Sequence, residues 1–177
     1  VKRQRGAALL AVFAVLVALS AAAAVATFRD ASRTESRDLA ERRALALARD
    51  ALWGHAQAQY CRNPAQSLET LLPCPDAAAT EGLAAPSCPG TTRGWLPWRS
   101  LQLPPLRDAS GTCLWVERSG ATVRVIAAGG ARPGQNRAAD PARTVCGGNL
   151  VAANYLDATD ASLTLTLQPA ALAAVCP

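Results

Sequence analysis

Residues 6–28 form a run of 23 without a charge, and its only hydroxyl groups are those of Ser20 and Thr27. At about 1.5 Å per residue, a helix of this run is ~34 Å long, enough to cross a ~30 Å hydrocarbon core. Beyond Phe28 the chain turns polar yet keeps helix-forming composition to about Tyr60, with no proline and only Gly54 as an interruption. Leu39, Ala40, Ala44, Leu47, Ala51, Leu52 and Ala56 recur at helical spacings, while Arg37, Glu41, Arg42, Arg49 and Asp50 lie mostly off that stripe. The pattern predicts one long helix, apolar in its first half and amphipathic in its second, with Trp53 and Tyr60 packing near its end. Asp38 and Arg42 form a four-residue pair of favourable orientation on the solvated face.

Residues 61–110 are rich in Pro, Gly, Ser and Asp and predict a long ordered loop, since proline removes amide donors and glycine favours turns. Strand signals follow. Residues 113–117 and 121–126, joined through Arg118, Ser119 and Gly120, predict a hairpin. At 162–167 leucines alternate with Thr164 and Thr166 in period two, which predicts a further strand. A long helix followed by strands close in sequence gives an α+β fold, with a small, mainly antiparallel sheet packed on the helix. The expected divisions are a leader at 1–6, a transmembrane helix at 7–28, its amphipathic continuation at 29–60 and a head at 61–177.

Charge refines this picture at one end. The formal net charge is +5, but Lys2, Arg3 and Arg5 supply three of the 18 basic residues. The basic cluster lies before the apolar run, which Arg29 and Asp30 end, so by the positive-inside rule the amino terminus stays in the cytoplasm and everything after Arg29 is exported across the inner membrane. The near-balance of charge elsewhere argues against a nucleic-acid partner. Three readings of the segment stand together: a plain membrane anchor, a secretory signal cut near Ala22–Ala26, and a processed leader ending at Gly6.

Cys61, Cys74, Cys88, Cys113, Cys146 and Cys176 are separated by 13, 14, 25, 33 and 30 positions, with no CxxC. Zinc, iron–sulfur and thioredoxin-like motifs lack their local signature, and an even number of dispersed cysteines in an exported head reads as disulfides. Six cysteines allow fifteen connectivities. Closing a loop of ~15 residues contributes about 3 kcal/mol in the chain-entropy model, which favours Cys74 with Cys88 in the Pro-rich region.

No nucleophile or metal motif accompanies His55, the single histidine, which reads as a surface or packing residue. The glycine-rich segment 129–135 lacks a P-loop's Lys-Ser/Thr and reads as a turn. Asp157 and Asp160 lack a recognisable calcium loop. The sequence therefore predicts no enzyme, cofactor or metal site. Trp95, Trp98, Arg99 and Trp115, with Arg107, suit an aromatic–basic binding surface; alternatively the tryptophans fill a small core while the arginines pair with Asp76 or Asp108.

The start Lys2-Arg3-Gln4-Arg5-Gly6, followed by Ala7-Ala8-Leu9-Leu10, resembles the class III leader of type IV pilins and pseudopilins. The resemblance implies a prepilin peptidase that cuts after Gly6 and methylates Ala7. It also implies an apolar helix kept as membrane anchor and filament core, with other pilin or pseudopilin subunits as partners. Major pilins carry glutamate at the fifth mature position, where this chain has Ala11; in that respect it is similar to the tip-located minor pseudopilin of type II secretion. The head motifs Leu72-Pro73-Cys74-Pro75-Asp76, 94–103, 106–111 and Leu114-Trp115-Val116, and the later 125–130, Pro133-Gly134-Gln135 and Asn154-Tyr155-Leu156-Asp157, resemble a group of proteobacterial prepilin-like proteins. Residues 161–177 depart from that pattern. The expected role is a minor structural subunit; an anchored periplasmic binding protein that enters no filament is the alternative.

Overall fold

The computed structural model describes residues 2–77, 81–141 and 143–176, with side chains from Val12 onward except that of Asp30. Helix α1 (Lys2–Arg62) is 61 residues long. It is followed by a one-turn helix α2 (Leu68–Leu71) and then by strands β1 (Thr91–Trp95), β2 (Trp115–Ser119), β3 (Thr122–Ala127) and β4 (Ala161–Thr166). A short helix α3 (Pro169–Ala173) comes last. The fold is α+β, with one sheet of four strands in the order β1-β2-β3-β4 and every neighbour antiparallel.

The chain divides into two compact units, Val1–Leu39 and Ala40–Pro177. In the first, every described side chain from Val12 to Leu39 is exposed, Phe28 by 76%. Among the described residues this is the one helix long and apolar enough to cross a membrane. The two hydroxyls of its apolar stretch 12–28 are satisfied locally: Ser20 Oγ donates to the Val17 carbonyl at 2.9 Å and Thr27 Oγ1 to that of Ala24 at 2.8 Å. Across 12–28 no side-chain donor is thus left to be stripped of water in an apolar medium.

In the second unit α1 contributes Leu45, Ala48, Leu52 and Ala56 to the main core, together with Val116, Val123 and Val125 from the sheet and Leu71, Leu96, Leu114 and Leu172 around it. The buried stripe differs from the expected one: Leu39 and Leu47 each remain 48% exposed, whereas Leu45 and Ala48 are buried. Trp53 and Tyr60 pack at its margin as expected.

Side chains on the opposite face of the sheet form a second cluster. Trp95, Trp115 and Ile126 alternate with the residues that face the helix and meet Cys113, Ala128, Cys146 and Tyr155. Further along that face Glu117 lies between its cross-strand partners Arg93 and Arg124 and pairs with both.

The β2–β3 hairpin closes through Gly120 and Ala121, with Ser119 opposite Thr122. Gly120 has φ +57°, the left-handed value that the first position of a tight two-residue loop demands. Strand β1 and helix α2 lie inside the stretch read from sequence as loop, and this corrects that reading. Short β1 forms because Thr91–Trp95 pairs along its full length with β2 and places Trp95 in the second cluster. Local proline content could not reveal that tertiary pairing.

Candidate functional site

All six cysteines are bridged, as Cys61–Cys176, Cys74–Cys88 and Cys113–Cys146. Cys74–Cys88 is the short-loop pair favoured by sequence. Cys113–Cys146 lies in the aromatic cluster, and Cys61–Cys176 ties the end of α1 to the segment after α3.

Trp95 and Trp115 are both 0% exposed, with ring centroids 4.6 Å apart, and Tyr155 packs against each at 5.0 and 5.1 Å. They therefore belong to the core and are no part of a binding surface, which corrects that alternative. Trp98 is half-buried and Arg99 exposed, with the guanidinium 5.2 Å from the indole centroid. One side of Trp98 is closed by Gly82: a Cβ there would lie 2.4 Å from Trp98 Cε2, and Gly82 has φ +80°. The four residues do not form one accessible face.

The motif acids also act inside the fold, and their partners are not the arginines expected. Asp76 is fully buried. Its carboxylate accepts from Arg143 Nη1 at 3.0 Å and from the Gly82 amide at 2.6 Å, while its backbone exchanges hydrogen bonds with Trp95. Gly94 permits this approach, because a Cβ at that position would meet the Asp76 carbonyl oxygen at 2.4 Å. Asp108 accepts from the Ser110 and Thr112 amides at 2.9 and 3.0 Å and, through its other oxygen, from the Gly129 amide at 2.8 Å, so it pins one turn to another. Arg107 donates to the Gly111 and Val145 carbonyls. Glu81, which sequence reasoning missed, accepts from the Val145 amide at 2.9 Å and also from that of Cys146.

Three further arginines turn inward, Arg143 onto carboxylates and Arg137 and Arg118 onto backbone carbonyls. Arg143 side-chain exposure is 0%, and its guanidinium also reaches Asp140 at 3.6 Å. Arg137 lies 4.6 Å over the Tyr155 ring and donates to the Gly129 and Asn154 carbonyls at 2.6 and 3.1 Å. Burial raises the Tyr155 phenol pKa, opposed by the Arg137 charge and the Asn149 amide. Arg118, only 8% exposed, caps the carbonyls of Glu69 and Leu72 at the end of α2. Burial lowers its pKa, opposed by the Glu69 charge. A signal for such groups was present in the sequence: charged residues isolated among Gly, Pro and apolar positions need partners wherever they become buried.

A cleft of about 680 Å³ is lined by His55, Glu69, Leu72, the Cys74–Cys88 bridge, Pro86 and Arg118. A smaller hollow of about 320 Å³ shares His55 and Ser100 with it and runs toward Gln59, Arg62 and Gln102. His55 is half-buried; burial first, and the Arg62 charge second, hold its pKa below the usual 6.5 and favour neutral imidazole. Asp157 and Asp160 both pair with Arg132, at 3.1 and 2.6 Å. Hydrogen bonds from Thr159, and then the Arg132 charge, hold the Asp157 carboxyl below its ordinary range. Among the described residues no group of three His, Cys, Asp or Glu side chains is placed to hold a metal. The expected processing junction, Gly6–Ala7, lies before Val12 and so outside the described side chains.

The geometry thus offers two surfaces for function: the exposed apolar side of α1 before Leu39, and the cleft beside Cys74–Cys88. Compared with family models, curated proteins and solved structures, the chain matches none.

Proposed function

We propose that the chain is a minor pilin-like or pseudopilin-like structural subunit, anchored in a bacterial inner membrane with its disulfide-bonded head in the periplasm. The observation that carries this reading is the division of labour along α1. One continuous helix is apolar and exposed from Val12 to Phe28, then supplies Leu45, Ala48, Leu52 and Ala56 as the core on which the sheet packs. A simple anchor needs only the first half. A filament subunit needs both, an apolar stretch for a bundle of neighbouring helices and a helix face on which its own head folds.

The basic leader Lys2–Gly6 and the junction with Ala7 supply the processing signal, and small alanines along 7–28 allow close approach of neighbouring helices. Ala11 in place of the pilin glutamate favours a tip or initiating position over repeated incorporation along a shaft. The role is structural and not enzymatic, and it requires no cofactor. The cleft beside His55 favours the second reading, an anchored binding protein that joins no filament.

Mass spectrometry of the mature amino terminus separates the two. A chain beginning at N-methylated Ala7 is expected; a retained leader, or a new start near Ala24–Ala26, would overturn the subunit reading.

A further inference from the structure

The three bridges occupy different chemical surroundings. Cys113 and Cys146 are 2% and 8% exposed and lie among Trp95, Trp115 and Tyr155, closed to a reagent. Cys176 Sγ faces the Leu172 carbonyl oxygen at 3.5 Å, a neighbour that opposes negative charge on sulfur. Cys74 and Cys88 line the 680 Å³ cleft, and there Arg118 Nη1 lies 2.7 Å from Cys88 Sγ and 3.3 Å from Cys74 Sγ. A guanidinium against sulfur stabilises the thiolate, and a stabilised thiolate is a better leaving group in disulfide exchange.

The loop between these cysteines is also held independently of its bridge. Asp76 binds Arg143 and the Gly82 amide, Glu81 binds the Val145 amide, the Gly82 carbonyl accepts from the Arg99 amide at 2.8 Å, and the Ala84 amide donates to Ser100 Oγ at 2.9 Å. Opening the bridge therefore leaves the loop anchored at its middle.

We propose that Cys74–Cys88 is a thiol–disulfide exchange site, opened selectively by a dithiol reductant that enters the cleft, with Cys74 as the sulfur attacked and Cys88 as the leaving thiolate. A reductant thiolate attacks Cys74 Sγ and forms a mixed disulfide. The Cys74–Cys88 bond breaks with its electron pair on Cys88 Sγ, next to Arg118. The reductant's second thiolate then attacks its own sulfur in the mixed disulfide, closes an intramolecular disulfide and expels Cys74 as thiolate, which takes a proton from water. Two electrons pass from the dithiol, which is oxidised, to the bridge, which is reduced. This chemistry is independent of whether the chain enters a filament.

The full chain in detergent micelles, treated with limiting glutathione and quenched with N-ethylmaleimide, tests the assignment. Fragment-ion mapping is expected to find glutathione on Cys74 and maleimide on Cys88, with this bridge opening at least about tenfold faster than either other. Opening of Cys61–Cys176 first, or glutathione on Cys88, would overturn the proposal. Arg118→Met is expected to slow opening on the order of fivefold, and Arg118→Lys to stay within about twofold of the parent, because a cation remains at the sulfur. Faster opening in Arg118→Met would mean that the arginine only packs the bridge, and would also overturn it; the parent's adduct position decides the matter should that variant not fold.

Discussion

At the scale of single residues, the head is tied together by charged groups turned inward. Arg143 and Asp76 are the extreme case, both side chains being fully buried and 67 positions apart in sequence. Removing Arg143 takes the cation from the buried Asp76 carboxylate, a loss of about 3–5 kcal/mol. Arg143→Met is expected to destabilise the head by that order in urea denaturation, and Asp76→Asn combined with it to recover part of the loss. The sequence singled out Asp76 through its Pro-Cys-Pro-Asp setting and expected an arginine partner, but pointed to those nearer in the motif block. Nothing local could single out Arg143, because the contact depends on how the 140–147 loop returns to the Asp76 turn. The tryptophans were legible as either core or surface. Burial of Trp95 and Trp115 decides for core, while Trp98 is half-buried, with one side closed by Gly82.

Among the elements, the helix and the last three strands were readable because their periods are strong: an apolar run, a leucine–threonine alternation, and a glycine at the hairpin turn. The face of α1 that meets the sheet was not. Alanine and leucine are so frequent between 39 and 56 that two overlapping stripes share Leu52 and Ala56, and periodicity cannot choose the remaining members. The structure selects Leu45 and Ala48. Leu52→Ala is accordingly expected to cost about 2–5 kcal/mol through lost burial and the cavity left behind. Leu47→Ala, on the exposed side, is expected to change stability by less than about 0.5 kcal/mol. Thermal melts of the two variants side by side measure the difference; equal losses would restore the stripe expected from sequence. Strand β1 was hidden for the opposite reason, since its flanking prolines and glycines announce turns while its own five residues are stabilised by pairing with a distant β2.

On the scale of the molecule, the division at Leu39 and Ala40 separates the two kinds of surface that the composition averages into one figure. The first unit exposes its apolar side chains, whereas the second buries Leu45, Leu52 and their sheet partners. A fragment of residues 40–177 is expected to stay monomeric without detergent and to keep all three bridges, by light scattering and non-reducing mass analysis. Aggregation of that fragment in its oxidised state would show that residues before 40 complete the head.

The Cys61–Cys176 bridge has a mechanical corollary. It spans 115 positions and leaves α1 at its final turn, so α2, the whole sheet and α3 sit within one covalent ring. Tension arriving along α1 meets that ring at Cys61 and passes directly to Cys176. A load between the helix and Cys176 thus bypasses the strands, and the hydrogen bonds of the meander are spared from bearing it. Unravelling under such a pull requires rupture of a covalent sulfur–sulfur bond, while the noncovalent sheet remains a passenger.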